Sequence, residues 1–349
     1  MRFYQIDPTQ DARWAEFVAR HPNSSVFHTV GWLRALRCTY GYEPVAFTTS
    51  PPTGVLSNGL VFCRVKSCLT GNRLVSLPFS DHCEPLCDSV EDCNFLLRYL
   101  QTALEHEKWK YVEMRPINVD FGRIGEGIKF IPATTHCLHI LDLRPDLNEV
   151  FRNLDKDSVQ RRVGRAEHCA LTEKCGRSDD LLKEFYALLL TARRRQRLPP
   201  IPYAWLRNLA KHQTEALEVR LAYEDRTPVA GILTLRYRNT VYYRYGCCDP
   251  HFDEREAVTW LLWKAIAAAK SNGASEFDMG PTEDGNAGVL ALENHWDSHS
   301  QKFLYWKFPG TSSPVSEDNW KLRIATRMFS HMPGRLLSIT GNLMYRHIG

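Results

Sequence analysis

The sequence predicts an α/β protein built from two similar domains, and three observations carry that expectation. Trp32-Leu33-Arg34-Ala35-Leu36 is echoed by Trp205-Leu206-Arg207-Asn208-Leu209. A glycine opening an apolar strand follows each echo at nearly the same distance, Gly59 after 27 residues and Gly231 after 26. Each copy then runs through strands, a polar Asp-containing loop and a helix to a short strand bearing one carboxylate, Tyr111–Arg115 and Glu276–Gly280. A unit of roughly 150 residues is too long for a solenoid repeat and suits a whole domain. A duplicated domain also creates a cleft between its copies, where ligands are expected to bind.

The elements of the first copy follow from local pattern. Trp14, Phe17 and Val18 recur on one face of a short helix over 11–20, which His21-Pro22-Asn23-Ser24 ends. A second helix is expected over 29–38, before Gly41. Val-, Leu- and Phe-rich strands are expected at 44–49, 59–65 and 73–79, with turns at Pro51-Pro52-Thr53-Gly54 and Leu69-Thr70-Gly71-Asn72. The loop 80–85 leads to a helix over 91–108 and then the strand 111–115.

Between the copies, 139–143 reads as a strand and Pro145 as a break, followed by one long helix over 147–169 whose second half is basic. The second copy is expected to hold helices at 179–197 and 203–211, strands at 218–223, 228–237 and 240–246, and a helix at 256–271. A final strand is expected at 302–308. The domain boundaries are therefore placed at 1–140 and 141–310, leaving a tail at 311–349. In that tail Trp320, Ile324 and Met328 share a helical face while Lys321, Arg323 and Arg327 are basic. This helix either docks on the body or rests on an anionic membrane surface. Pro333-Gly334 interrupts it and favours docking.

Composition narrows the function classes. Hydrophobic residues at 44% and charged residues at 24% are ordinary for globular chains, so neither disorder nor a membrane bundle is expected. A net charge of +4 is too mild to imply a nucleic-acid binder by itself. The first residues lack a signal-peptide core and no apolar run approaches the ~18 residues of a membrane span, so a cytoplasmic protein is expected. The 11 cysteines show no Cys-x-x-Cys spacing and are read as reduced thiols. His82, Cys83 and Cys87 are the one grouping resembling metal ligands, but their spacing disfavours it, and no metal is expected.

Several segments together resemble FemAB-type proteins: Val75–His82, Thr191–Pro200, Gly246-Cys247-Cys248-Asp249-Pro250 and Glu276-Phe277-Asp278-Met279-Gly280. The terminal residues 343–349 resemble a subgroup found near exopolysaccharide and exosortase genes. The resemblance covers almost the whole chain and implies tandem GNAT folds, each a mixed sheet flanked by helices, the second copy being acetyltransferase-like. It implies N-acyl transfer, in which an acceptor amine attacks an activated acyl carbonyl. The enzyme positions the reactants, removes a proton and donates N–H groups to the oxyanion. The implied co-substrate is acyl-CoA or aminoacyl-tRNA, with no tightly bound cofactor. The implied acceptor is an amine of a cell-envelope, peptidoglycan or exopolysaccharide precursor, handled at the inner face of the membrane with peripheral contact through the tail. The alternative is a non-catalytic binding or scaffold protein on a degenerate GNAT fold.

Departures from the family pattern bear on that choice. The loop expected to cradle coenzyme A pyrophosphate runs from Cys247 to Glu256, has no glycine after Gly246 and carries four carboxylates. Where the family pattern gives Asp-x-Gly-Arg this chain has Asp278-Met279-Gly280-Pro281, and Glu293 stands where a lysine is usual. Phosphate contacts would instead fall to Arg161 and Arg165 on one helical face and to Arg193 and Arg194 in a second basic block, unless these are solvated surface.

The candidate catalytic residues are Asp278 and Asp249, placed where GNAT strands splay beside the acyl group, with Arg244 and Tyr245 on the preceding strand. Strand alternation puts Tyr242 and Arg244 on one face and Tyr243 and Tyr245 on the other. Candidates for acceptor binding are Asp81, His82 and Arg115 in the first copy, and His295, Trp296 and Lys302 near the closing motif. His82 equally suits a satisfied loop histidine, and Asp278 a loop cap.

Overall fold

The computed structural model describes the chain except residues 1, 121–126, 170, 197, 250, 252–253, 284–295, 310–343 and 348. The described residues form two units, one ending at His136 and reclaiming Lys302–Phe308 and the last residues to Gly349, the other spanning Cys137–Gln301.

In the first unit, β1 (Tyr4–Ile6), α1 (Ala12–Arg20), α2 (Val30–Tyr40), β2 (Glu43–Thr48), β3 (Asn58–Val65), β4 (Arg73–Val75), β5 (Leu86–Cys87), α3 (Val90–His106) and β6 (Val112–Met114) follow in order. The Asp11 side chain caps α1 through the Arg13 N–H, and Thr29 caps α2 through the Trp32 N–H. Gly41, at φ 72°, ends α2 in the left-handed conformation that costs a residue without Cβ nothing. The second unit runs β7 (Ile131–Asp142), α4 (Leu147–Asn153), α5 (Arg161–His168), β8 (Leu171–Gly176), α6 (Asp179–Arg195), α7 (Tyr203–Gln213), β9 (Leu217–Glu224), β10 (Thr227–Tyr237), β11 (Thr240–Cys248), α8 (Glu254–Ser271), β12 (Glu276–Glu283) and β13 (His299–Phe308). The start of β7 and the end of β13 belong to the first unit.

The strand orders repeat. The first unit runs β1-β2-β3-β4-β6 and the second β8-β9-β10-β11-β12. In each, all neighbours along that order are antiparallel except the last pair, β4 with β6 and β11 with β12. The two echoed glycines have the same task. A Cβ at Gly59 would lie 2.7 Å from the Trp14 ring, and one at Gly231 would lie 2.8 Å from the Phe185 ring. Each glycine lets an aromatic side chain of an earlier helix, α1 or α6, reach the sheet. Trp32 and Trp205 are both buried behind them.

Each sheet carries helices on two faces. In the first unit Phe47, Leu60, Phe62 and Leu74 meet Leu96, Leu97 and Leu100 of α3. In the second, Ala230, Ile232, Val241 and Phe277 meet Leu261 and Ile266 of α8, with Val163 and Ala166 of α5 in the same cluster. Gly231, pointing the other way on β10, faces Phe185 of α6. So α5 and α8 lie on one face of this sheet and α6 on the other.

Besides the unexpected short strands β1 and β5 and the earlier start of β7, the structure departs from the local reading in four places. The long helix expected over 147–169 is broken, because the Asp155 side chain accepts from the Asp157 and Ser158 N–H groups and starts a new turn. The strand expected to reach Phe79 stops at Val75, since Leu77 and Phe79 take φ of 64° and 62° around Pro78. β8 was not expected at all, its alternating sequence being mostly polar. Finally, β13 pairs antiparallel with β6, Trp306 opposite Met114, which groups 302–308 with the first unit rather than the second. The expected tail helix with Trp320, Ile324 and Met328 lies outside the described residues.

Candidate active site of the second unit

β11 and β12 start as partners and then part. Thr240, Val241 and Tyr242 sit opposite Glu276, Phe277 and Asp278, and the register ends there although both strands continue. A bulge on β11 accompanies the parting. Leu233 of β10 faces Tyr245 and Thr234 faces Tyr243, so Arg244 is the extra residue. A bulge bends its strand and sharpens the local twist, here at the point of divergence. The result is a notch between β11 and β12 beyond Tyr242 and Asp278.

The bulge also corrects the expected alternation. Tyr243 packs on the α8 cluster with Val241, whereas the Tyr245 hydroxyl accepts the Trp205 Nε1–H from α7 at 2.9 Å. Tyr243 and Tyr245 therefore occupy opposite faces, because the inserted residue reverses the phase of every side chain beyond it. Past it, Cys248 joins the α8 cluster while the Cys247 thiol lies 3.8 Å from the Phe185 carbonyl of α6.

Asp278 stands at the vertex of the notch, 2% exposed. Its Oδ1 accepts the Gly280 N–H at 2.8 Å, and Gly280 turns back with φ 90°. That cap agrees with the bland expectation for Asp278 and also fixes the direction of its second oxygen. Burial raises the Tyr242 phenol, and the carboxylates of Asp278 and Glu276 raise it further, so at neutral pH it is a donor, not an anion. Asp249 is elsewhere. It lies seven residues beyond Tyr242 on an extended strand, about 20 Å along the chain. Its carboxylate accepts the His251 N–H at 2.9 Å, as a turn residue does. The two carboxylates that sequence reasoning named as catalytic candidates are not brought together.

Sequence reasoning missed a buried polar group on β12. Phe277 and Met279 enter the α8 cluster, while Asp278, Gly280 and Thr282 share the other face. Thr282 Oγ1 donates to the Cys137 carbonyl at 3.4 Å and lies 3.0 Å from His139 Nε2. His139 is fully buried, and the Ser298 hydroxyl is 3.5 Å from its Nδ1. The one signal was a histidine opening the strand expected at 139–143.

Residues 156–288 match the family described as an acetyltransferase (GNAT) domain. The second unit is a GNAT domain. Among solved structures, FemX matches with a TM-score of 0.70 at 13% identity, over 92% of this chain and 99% of that one. A tandem GNAT protein from the clavulanic acid biosynthesis pathway matches at 0.57 and 10% identity, over 89% and 99%. L-PGS from Bacillus licheniformis matches at 0.57 and 10%, over 94% and 99%. The chain thus has the FemAB-like tandem GNAT fold. No curated protein matches its sequence.

In the GNAT domain the predicted phosphate ligands are split. Arg161 pairs with Asp157 at 2.7 Å and Arg165 with Glu256 of α8 at 2.7 Å, both on α5. Arg193 and Arg194 lie in the last turn of α6, on the opposite face of the sheet, where they complement the negative end of the helix dipole. The two blocks do not form one surface. Glu256, near the start of α8, occupies with Arg165 a position where a helix N-terminus would otherwise favour a bound anion.

The remaining candidates are placed as follows. Trp296 is 2% exposed in the α8 cluster, a core residue rather than a ligand contact. His295 lies outside the described residues. Lys302 is exposed on β13, in the first unit. There Arg115 is a clamp. It pairs with Glu113 at 2.8 Å, donates to the Leu77 and Ser80 carbonyls at 3.1 and 2.9 Å, and stacks over the Tyr305 ring. Burial alone would raise the Glu113 carboxyl, but Arg115 and Lys307, at 3.1 Å, hold it below the usual range. The Asp81 carbonyl accepts the Tyr305 hydroxyl at 2.7 Å. His82 is buried edge-on against Phe27, the arrangement of a loop histidine. Among the described residues no group of three or more His, Cys, Asp or Glu side chains is arranged to hold a metal ion.

Proposed function

We propose that the protein transfers an acyl group, acetyl or aminoacyl, to an amine of an envelope or exopolysaccharide precursor. The single observation that carries this reading is the parting of β11 and β12 around buried Asp278 in a GNAT domain. The GNAT fold implies acyl-CoA as co-substrate. In this reading the acyl donor enters the notch beside β11, and strand N–H groups near the Arg244 bulge polarise its carbonyl. The Asp278 carboxylate orients the acceptor ammonium and takes one proton from it. The resulting amine attacks the acyl carbonyl, the thioester carbon–sulfur bond breaks, and the departing coenzyme A thiolate takes up the second amine proton as the amide forms. Tyr242, opposite Asp278 in the register, stays neutral beside it. The precursor class is supported by the resemblance of Val75–His82, Thr191–Pro200 and the terminal residues to FemAB-type proteins. Among the described residues no helix is long and apolar enough to cross a membrane, which suits an enzyme that meets such a precursor at the inner membrane face.

The test is acyl transfer by the purified protein, read by mass spectrometry, from acetyl-CoA and from aminoacyl-tRNA to amino-sugar and peptide acceptors. Transfer from one donor that falls at least 100-fold in Asp278→Asn supports the reading. Absence of transfer from every donor, with a precursor still bound, supports the scaffold alternative. One observation favours that alternative: the Arg165–Glu256 pair fills the start of α8 that donor phosphates would need.

A further inference from the structure

The loop after β4 has an unusual backbone. Leu77 and Phe79 adopt φ of 64° and 62°, a region that side chains with a Cβ seldom occupy, and they persist only where their surroundings over-determine them. One grip on this loop is Arg115, which takes the Leu77 and Ser80 carbonyls. The other is aromatic. The Phe79 ring lies 4.8 Å from Tyr40, 6.3 Å from Tyr42 and 5.5 Å from Tyr345. The last of these comes from the other end of the sequence.

The segment carrying Tyr345 is tied down at successive points. The Tyr42 hydroxyl donates to the Tyr345 carbonyl at 2.8 Å, and Thr70 Oγ1 donates to the His347 carbonyl at 2.9 Å. The Ser67 hydroxyl lies 2.9 Å from His347 Nδ1. Arg73, itself 3% exposed, donates from Nη2 to the His347 carbonyl at 2.7 Å and from Nε to the Gly349 carbonyl at 2.6 Å. Gly349 is required by close approach: a Cβ there would stand 2.7 Å from a carbon of the buried Tyr42 ring and run into its hydroxyl.

We infer that residues 344–347 together with Gly349 form a strap that sets the conformation of the loop bearing Asp81 and His82, with Tyr345 as the positioning residue acting through Phe79. The strap uses strand β4 and its turn as an anchor and presses one ring against the strained residue. Its consequence for acceptor binding rests on the acyltransferase reading; its effect on the loop does not.

The experiment is hydrogen exchange on full-length Tyr345→Ala and Gly349→Ala, beside Tyr345→Phe, which keeps the ring. Amides of 76–83 are expected to exchange at least tenfold faster in the first two and at the wild-type rate in Tyr345→Phe, while amides of β3 and α3 are unchanged. No change in 76–83, or equal acceleration throughout the first unit, overturns the inference. If acyl transfer is found, the same variants are expected to raise the acceptor KM several-fold with kcat retained. Loss of kcat with KM retained overturns the positioning role even where exchange in the loop rises.

Discussion

The Trp205 indole N–H donates to the Tyr245 hydroxyl at 2.9 Å, and so places Tyr245 on the face of β11 opposite Tyr243. That bond joins the echoed tryptophan to the strand that opens the candidate site. Trp205→Phe keeps most of the apolar volume and removes the donor. It is expected to destabilise the protein by about 1 kcal/mol, the net worth of one such bond. Urea denaturation measures it, and an unchanged midpoint would remove the bond from the account.

The two echoed glycines give a second expectation. Gly231→Ala places a methyl 2.7 Å from Leu221 and 2.8 Å from Phe185, both buried in a packed sheet–helix interface. Overpacking of this kind is expected to cost about 1–3 kcal/mol. Gly59→Ala should behave alike against Trp14. Combining Gly231→Ala with Phe185→Leu is expected to recover part of the loss, which a thermal melt would show.

Asp278 and Asp249 separate the catalytic reading from its neighbour. If Asp278 handles the amine, Asp278→Asn loses at least about 100-fold in kcat/KM. Asp249→Asn, a turn residue capping His251, is expected to change the rate by less than about threefold. Equal losses in both variants would mean that the acceptor amine is not held at the notch vertex.

Acid sensitivity has a named source. His28 is fully buried, and burial lowers its pKa to about 4 from an ordinary 6.5, with the bond to the Glu84 carbonyl acting the other way and the nearby His82 and His21 adding to the lowering. The folded pKa lies below the unfolded one, so the unfolded chain binds the extra proton between these values. The His28 contribution is complete above pH 6.5, falls as the pH drops towards 4, and is level below it. Over that window the loss is about 3 kcal/mol. His28→Gln should flatten the slope of stability between pH 4 and 6.5. A slope unchanged in the variant assigns the sensitivity to other groups.

Glu113 acts in the same direction at lower pH. Arg115 and Lys307 hold it below its ordinary value despite burial, so its contribution is present above about pH 4.5 and lost as the pH falls through the depressed folded value. Glu113→Gln leaves Arg115 without its carboxylate and the Ser76–Pro85 loop without a neutralised clamp. A destabilisation of about 3–5 kcal/mol is expected, because one partner of a buried pair is left charged. Chemical denaturation at pH 7 measures it.

Much of the architecture was legible because it is written in short-range pattern. Trp32 and Trp205, Gly59 and Gly231, and the carboxylates Glu113 and Asp278 mark equivalent places in two copies, and a repeat needs no tertiary information to be seen. Strands β9, β10 and β11 and helix α8 follow from runs of apolar residues with turn residues between them. Less of the site could be read. Asp278 was found through a motif, but Asp249, named beside it as a candidate, proved to be a turn residue beyond the end of β11. Arg161, Arg165, Arg193 and Arg194 looked like one basic set, whereas helices α5 and α6 put them on opposite faces of a sheet. Trp296 looked like a site aromatic and is core.

What the sequence by itself determined is the duplicated α/β plan, since periodicity, capping residues and glycines act over a few neighbours. The tertiary structure decided the rest: the bulge at Arg244 that turns Tyr245 over, the return of 302–308 to β6, and the meeting of Tyr345 with Phe79. Each of these depends on which distant segments lie side by side. Strand register and long-range packing set that, and no local pattern encodes them.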